Sequence, residues 1–308
     1  FELKIPEYSP EQYLELKKIL RQVERDLRQK IILRTPDQYL TNPDARLLDV
    51  EAVYTLLDAC NWREDRLIRR EILTHGGKKK YGEIKLSYNP AWEKLDIQEA
   101  RVIAPDGSIK VASSQEINLM DAEWVGSAPR YPAGKTLVVS FPAVQTGSII
   151  ELRYSRACSN RPFFSARENF QLEDPILRKS ARLINPNNID IKIFTNLAGR
   201  VNWSETFDSS NRFWTVTEVP GVKSEDFTPP WHSFNPTLFL STGHWPDYAA
   251  LLNARLQQAA SNQPRAEAWA LDLTRAFDFP DQKIKAIRDF IAVNIRSDGP
   301  ALDECPLE

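Results

Sequence analysis

Between residues 50 and 219 the chain is a succession of short strand-like runs, and no helical pattern interrupts them. That one feature removes most architectures. A parallel sheet built strand after strand needs a crossover of a dozen or more residues, usually a helix, between neighbours, and none is written here. Val50, Ala52, Tyr54 and Leu56 alternate as in a half-buried strand. Strand patterns follow over residues 67–73, 81–88, 95–103, 109–112, 116–120, 137–141, 148–154, 163–172, 178–184, 190–195, 201–207 and 213–219. Turn residues separate them. Ala104-Pro105-Asp106-Gly107 reads as a hairpin turn. Gln145-Thr146-Gly147 is expected to join 137–141 and 148–154 as a pair, and His75-Gly76-Gly77 to supply the positive φ of a tight turn. The fold class predicted is mainly β with α additions: an antiparallel β-sandwich.

The period changes at both ends. Ser9-Pro10-Glu11-Gln12 can cap a first helix, with Tyr13, Leu16, Leu20, Val23 and Leu27 on one face. Its other face mixes signs, with Glu15, Glu24 and Asp26 among the lysines and arginines, which argues against a membrane-surface or calmodulin-type helix. Past the prolines of Thr228-Pro229-Pro230-Trp231 and Asn235-Pro236, residues 239–241 read as a last strand. Helical spacing then returns over 246–259, 266–277 and 281–295. The division predicted is a helical arm and loop at 1–47, the sandwich at 48–242 and a helical segment at 243–308. Three helices make a thin core, so the last segment is expected to be the start of a truncated domain.

Charge and residue counts narrow the function. Forty basic against 42 acidic residues give a net charge of −2, whereas a nucleic-acid binder shows a basic excess or stripe. No apolar run approaches the ~20 residues of a membrane span. The chain starts at Phe1 rather than Met, so a removed upstream segment is expected. The three cysteines, Cys60, Cys158 and Cys305, form no CxxC pair. Separate thiols are the simpler reading of Cys60 and Cys158, with a disulfide as the alternative. His75, His232 and His244 lack the spacing of a helical zinc site, and no cofactor motif is present. Lys78-Lys79-Lys80 reads as a solvated hairpin tip that discourages edge pairing. Glu225-Asp226 and Asp303-Glu304 are adjacent carboxylates of a kind common in loops. Cys305 follows two acids, which disfavour a thiolate, and no histidine comes after it. Among Trp92, Trp124, Trp203, Trp214 and Trp231, packing explains most. Trp124 differs, because it opens a loop rich in Gly, Ser and Pro that also holds Arg130 and Tyr131. These three are the candidate binding residues, and no residue is a candidate catalyst.

Two runs carry a resemblance. ILTHGGKKKYGEIKLSYNPAWEKLDIQEARVIAPDGSIKV and INLMDAEWVGSAPRYPAGKTLVVSFPAVQTGSIIELRY resemble the bacterial domain of unknown function 3857. The shared features are a strand ending in Tyr-Asn-Pro, an Ala-Arg-Val-Ile-x-Pro-Asp-Gly hairpin, a Pro-Ala-Gly-Lys strand and a Gly-Ser-Ile-Ile-Glu strand, within about residues 49–219. PDQKIKAIRDFIAVNIR looks like the helix that opens a transglutaminase-like core of the papain superfamily. The resemblance implies an exported, periplasmic or cell-surface protein in which a β-sandwich accessory domain positions or regulates a downstream Cys-His-Asp domain in the same polypeptide. It assigns no triad role here, since Cys305 lies in Asp-Glu-Cys-Pro rather than the family's Gly-x-Cys context. The alternative is a carbohydrate- or peptide-binding module of an exported protein that uses residues 124–132.

Overall fold

The computed structural model describes residues 41–126, 134–196, 201–208, 210–223, 229–261 and 263–294, with Ser9, Glu15, Lys18, Ile19 and Gln22. The chain is mainly β, with three sheets and a group of helices at its C-terminal side. Fourteen strands are described: β1 (Ala45–Leu56), β2 (Trp62–Ile72), β3 (Glu83–Tyr88), β4 (Glu93–Ile103), β5 (Ile109–Val111), β6 (Ile117–Asp121), β7 (Lys135–Ser140), β8 (Ile149–Cys158), β9 (Ser165–Asn169), β10 (Ile176–Ile184), β11 (Lys192–Asn196), β12 (Asn202–Asp208), β13 (Asn211–Val219) and β14 (Thr237–Ser241). Of the predicted N-terminal helix, Glu15, Lys18, Ile19 and Gln22 are helical. Its apolar face, Tyr13 to Leu27, lies outside the described residues.

One eight-stranded sheet, ordered β12-β13-β10-β1-β2-β8-β4-β5, carries the rest. Two three-stranded sheets, β11-β14-β9 and β3-β7-β6, complete the set. Directly paired residues share a face, so the register shows what the large sheet turns inward. Tyr54, Ala52 and Val50 of β1 stand beside Glu64, Arg66 and Ile68 of β2. Those stand beside Arg156, Tyr154 and Leu152 of β8. Register shifts near Leu48 and Gln98 act as β-bulges and keep Leu47 with Val50, and Ile97 with Ala100, on that face. The face contributes to two cores. One joins Leu47, Tyr54, Leu183 and Trp214 to Phe164, Phe170, Leu238 and Leu240 from around the β9–β14 sheet. The other joins Ile150, Leu152, Ala100 and Val102 to Leu86, Val139 and Phe141 from around the β3–β7 sheet. Each buried aliphatic or aromatic side chain contributes roughly 1.5–3 kcal/mol.

Three details differ from the sequence reading. First, β1 and β10 are parallel, with Val50 beside Lys179 and Tyr54 beside Leu183. The crossover is the whole run from β2 to β9, which carries the chain through the other strands before it returns. Second, β7 and β8 do not pair with each other. β7 pairs with β3 and β6, and β8 with β2 and β4, so Gly147 (φ 85°) turns the chain from one sheet to another. Third, His75–Tyr81 is a short helix, α1, and no hairpin tip. Thr74 caps it by accepting from the Gly77 N–H. A side chain on Gly77 would put its Cβ 2.1 Å from the Asp44 carbonyl oxygen, so this glycine is there for close approach and has no positive φ. The Ala104–Gly107 hairpin is as predicted: Gly107 has φ 83° and donates to the Ala104 carbonyl.

The C-terminal helices are α2 (Trp245–Ala260), α3 (Pro264–Thr274) and α4 (Pro280–Asn294). The first touches the β-rich part through Tyr248, whose ring meets Phe163 edge-on at 5.3 Å. Trp269 of α3 packs on Phe290 of α4. Much of the apolar surface stays open: Trp245, Leu271, Phe279, Ile284 and Val293 are all exposed.

Candidate functional site

A cleft of about 580 Å³ lies where the β3-β7-β6 sheet meets the start of β4 and the end of β8. Its floor is one face of β3 and β7, with Lys85, Ser87, Thr136 and Val138. These residues alternate in their strands, so the cleft is offered a sheet face. The Ser87 and Thr136 hydroxyls hydrogen-bond across the pair at 3.2 Å.

One wall is the β3–β4 connection. The run Tyr88-Asn89-Pro90-Ala91-Trp92 acquires a structural meaning here. Asn89 Oδ1 accepts from the Ala91 N–H, and its carbonyl accepts from the Trp92 and Glu93 N–H groups. In return the Glu93 carboxylate accepts from the Asn89 N–H at 3.0 Å. This lock sets Glu93 in front of two arginines, Arg156 (3.1 Å) and Arg161 (3.5 Å). Arg161 lies over the Trp92 ring at 4.8 Å, and Arg156 also donates to the Ser87 carbonyl. Burial works against the charge on Arg156, but Glu93 and Glu64 outweigh it and hold its pKa above the ordinary value.

The other wall is the end of the β6–β7 pair. Lys135 and Asp121 form an ion pair at 2.5 Å, and the Ala122 N–H donates to the Gly134 carbonyl just beyond it. Half-buried Trp124 folds back on Gly134. A Cβ at position 134 would stand 2.7 Å from the indole Cζ2, so the missing side chain is what lets the ring lie there. Trp124, one of the three candidate binding residues, lines this cleft, whereas Arg130 and Tyr131 lie outside the described residues. Trp92 and Trp214 are buried, Trp203 packs on Phe170, and Trp231 donates to the Gln171 carbonyl.

Charge continues from the cleft into the interior. Arg156 faces Glu64 (3.8 Å), Glu64 pairs with Arg66 (2.7 Å), and Arg66 pairs with Glu168 of β9. Glu168 also holds Lys179 of β10 at 2.7 Å and accepts from the Tyr54 hydroxyl at 2.6 Å. Burial alone would raise the Glu168 pKa; Arg66 and Lys179 overcome it and hold the carboxyl far below the usual range. Lys179 shares that carboxylate with Arg66, and burial pulls its pKa below the ordinary lysine value.

The described thiols are poor nucleophiles. Cys158 and Cys60 are both free. Burial, with Glu93 beside it, pushes the Cys158 thiol up to about 12. Cys60 is raised by partial burial and by Asp58. His232 contacts Arg167, and His244 faces Asp190 at 3.6 Å. Among the described residues no group of three or more His, Cys, Asp or Glu stands together for a metal ion. Cys305 and both adjacent-carboxylate pairs fall outside the described residues. The cleft presents donors and acceptors fixed in pairs, with aromatic walls.

Comparison with known proteins adds a frame. Residues 61–223 match the family described as Domain of Unknown Function with solved-structure structure (DUF3857). No curated protein matches. A crystal structure of a proposed protease from Parabacteroides distasonis aligns with a TM-score of 0.72 at 22% identity, over 85% of this chain and 52% of that one. The present chain therefore spans about half that protein's length, and the likeness is one of fold. An M1 zinc metallopeptidase from Deinococcus radiodurans aligns at 10% identity over 64% of this chain and 42% of that one, but its TM-score of 0.33 carries no argument.

Proposed function

The chain belongs to the DUF3857 family, and on that premise we propose that its β-rich part is an accessory domain serving a transglutaminase-like domain in the same polypeptide. The observation that carries this reading is a contrast in burial. The sheets close over two cores that include fully buried Trp214, Phe164 and Phe170. Helices α2–α4 and the turn before α4 instead leave Trp245, Leu271, Phe279, Ile284 and Val293 in the open. Ile284, Ile287 and Ile291 line an apolar groove on α4. Helices with such faces gain most of their stability from a packed partner. In this reading the partner is the enzymatic domain, and the β-rich part holds it in position. The chemistry then belongs to that domain, as a thiol nucleophile acting on peptide or amide bonds. Support also comes from the fold shared with a protein described as a proposed protease and about twice as long as the aligned region. The reading extends to export from the cytoplasm, which cell fractionation checks.

The test is an assay of the 308-residue chain beside the complete gene product, for hydrolysis and amine transfer at peptide and glutaminyl amides. No turnover by the 308-residue chain is expected. Robust turnover by it, abolished by Cys305→Ala, overturns the proposal.

A further inference from the structure

The geometry points to the Trp124 cleft as a binding site for a neutral oligosaccharide. Three features of the walls select that chemistry. The volume, about 580 Å³, falls within the roughly 300–1,000 Å³ of small-ligand clefts.

The first feature is charge. The charges lining the cleft come in both signs and nearly balance, Lys85, Lys135, Arg156 and Arg161 against Glu93, Asp121 and Glu123, and five of the seven are paired with one another: Asp121 with Lys135, and Glu93 with Arg156 and Arg161. A charged ligand drawn to any of those five would have to break a couple and leave its partner unmatched. A neutral ligand meets carboxylate acceptors beside ammonium and guanidinium donors and can use the lone pairs and protons that remain. Vicinal hydroxyls, each both donor and acceptor, suit such alternating walls.

The second is the aromatic platform. Trp124 rests against Gly134, which has no side chain to push it away, and the indole lines the cleft half-buried. A rigid, flat apolar surface beside polar groups matches the C–H face of a sugar ring.

The third disfavours a peptide. Strand addition needs a free sheet edge with unpaired backbone groups. The floor is a sheet face, and its short hydroxyl side chains, Ser87 and Thr136, are already bonded to each other. A peptide added as a strand would pair along the outer edge of β3 or β6 and would not lie across this face. This site does not depend on the accessory role proposed above, and it can fail without that role failing.

The experiment is capture on an array of neutral oligosaccharides, followed by saturation-transfer NMR with the best-bound sugar and the whole chain. Transfer to the sugar C–H protons is expected in the wild type and in Trp124→Phe, which keeps an aromatic face. Loss is expected in Trp124→Ala. It is also expected in Gly134→Ala, whose new methyl group displaces the indole without removing it. Far-UV circular dichroism and the thermal midpoint, unchanged in these variants, report an intact fold. Three results overturn the inference: no sugar bound by the wild type, transfer that survives Trp124→Ala, or a peptide library captured in place of sugars with the same dependence on Trp124.

Discussion

Glu168→Gln removes one charge from the most buried ionic group in the β-rich part while keeping its volume. The side chains of Glu168 and Lys179 are 3% and 5% exposed, and that of Arg66 is 16% exposed. Solvent therefore screens these interactions little. Breaking a buried ion pair from one side costs about 3–5 kcal/mol, because the surviving charge is left uncompensated. Arg66 keeps Glu64 as a partner, and Lys179 still donates to the Asn169 carbonyl, which puts the expected loss near the lower end, about 3 kcal/mol. With a urea slope of roughly 3 kcal/mol per molar, the unfolding midpoint falls by about 1 M. Unfolding is followed at pH 7 by circular dichroism and tryptophan fluorescence. The pH dependence gives a second readout. In the folded protein Arg66 and Lys179 hold the Glu168 carboxyl far below the ordinary glutamate range, so its contribution is present above that ordinary range and is lost as pH falls further. Stability of the wild type should fall more steeply than that of Glu168→Gln in this acid range. A loss below about 1 kcal/mol at pH 7, the scale of an exposed pair, together with identical acid profiles, would refute the reasoning.

Three other outcomes follow from local geometry. Gly77→Ala should destabilise by more than 2 kcal/mol, an estimate in line with forced backbone shifts, because its Cβ meets the fixed Asp44 carbonyl; Gly76→Ala meets the Asp44 side chain and should cost less in a thermal melt. Under native conditions Cys158 should resist iodoacetamide at pH 8 while Cys60, less buried, labels slowly; mass spectrometry of digests reads both, and rapid labelling of Cys158 would contradict its burial. Leu240→Ala, at a fully buried position between the large sheet and β9–β14, should cost about 2–5 kcal/mol in urea unfolding.

The alternation of Val50, Ala52, Tyr54 and Leu56 was enough to assign β1 and its buried face. Composition at the Ala104–Gly107 turn was enough to assign the β4–β5 hairpin. Partner choice was not legible in this way. The parallel match of β1 with β10 joins residues more than a hundred positions apart, and alternation shows a strand's buried face without naming its neighbour. The Gly76-Gly77 pair misled because glycine serves positive φ and close approach alike; Thr74, able to cap, was the signal for a helix. The site was half legible. Trp124 stood out by its loop, but Glu93 of β4, Arg156 of β8 and Arg161 just after β8 reach it from distant parts of the chain. A clue did exist. Glu64 and Arg66 have the same parity as Trp62 and Ile68, and Arg156 the same as Leu152 and Tyr154. A charge on the apolar side of an alternating strand must find a partner inside the protein, so such positions mark a buried polar seam.

Hydrogen exchange bears most directly on the accessory role, measured on the 308-residue chain and on the complete gene product. Amides of β1–β14 should be protected to the same degree in both. Those of α2–α4 should exchange fast in the 308-residue chain and slowly in the complete product, where a partner domain covers Trp245, Leu271, Phe279, Ile284 and Val293. Equal protection of α2–α4 in the two samples would contradict the claim that these helices are a docking surface.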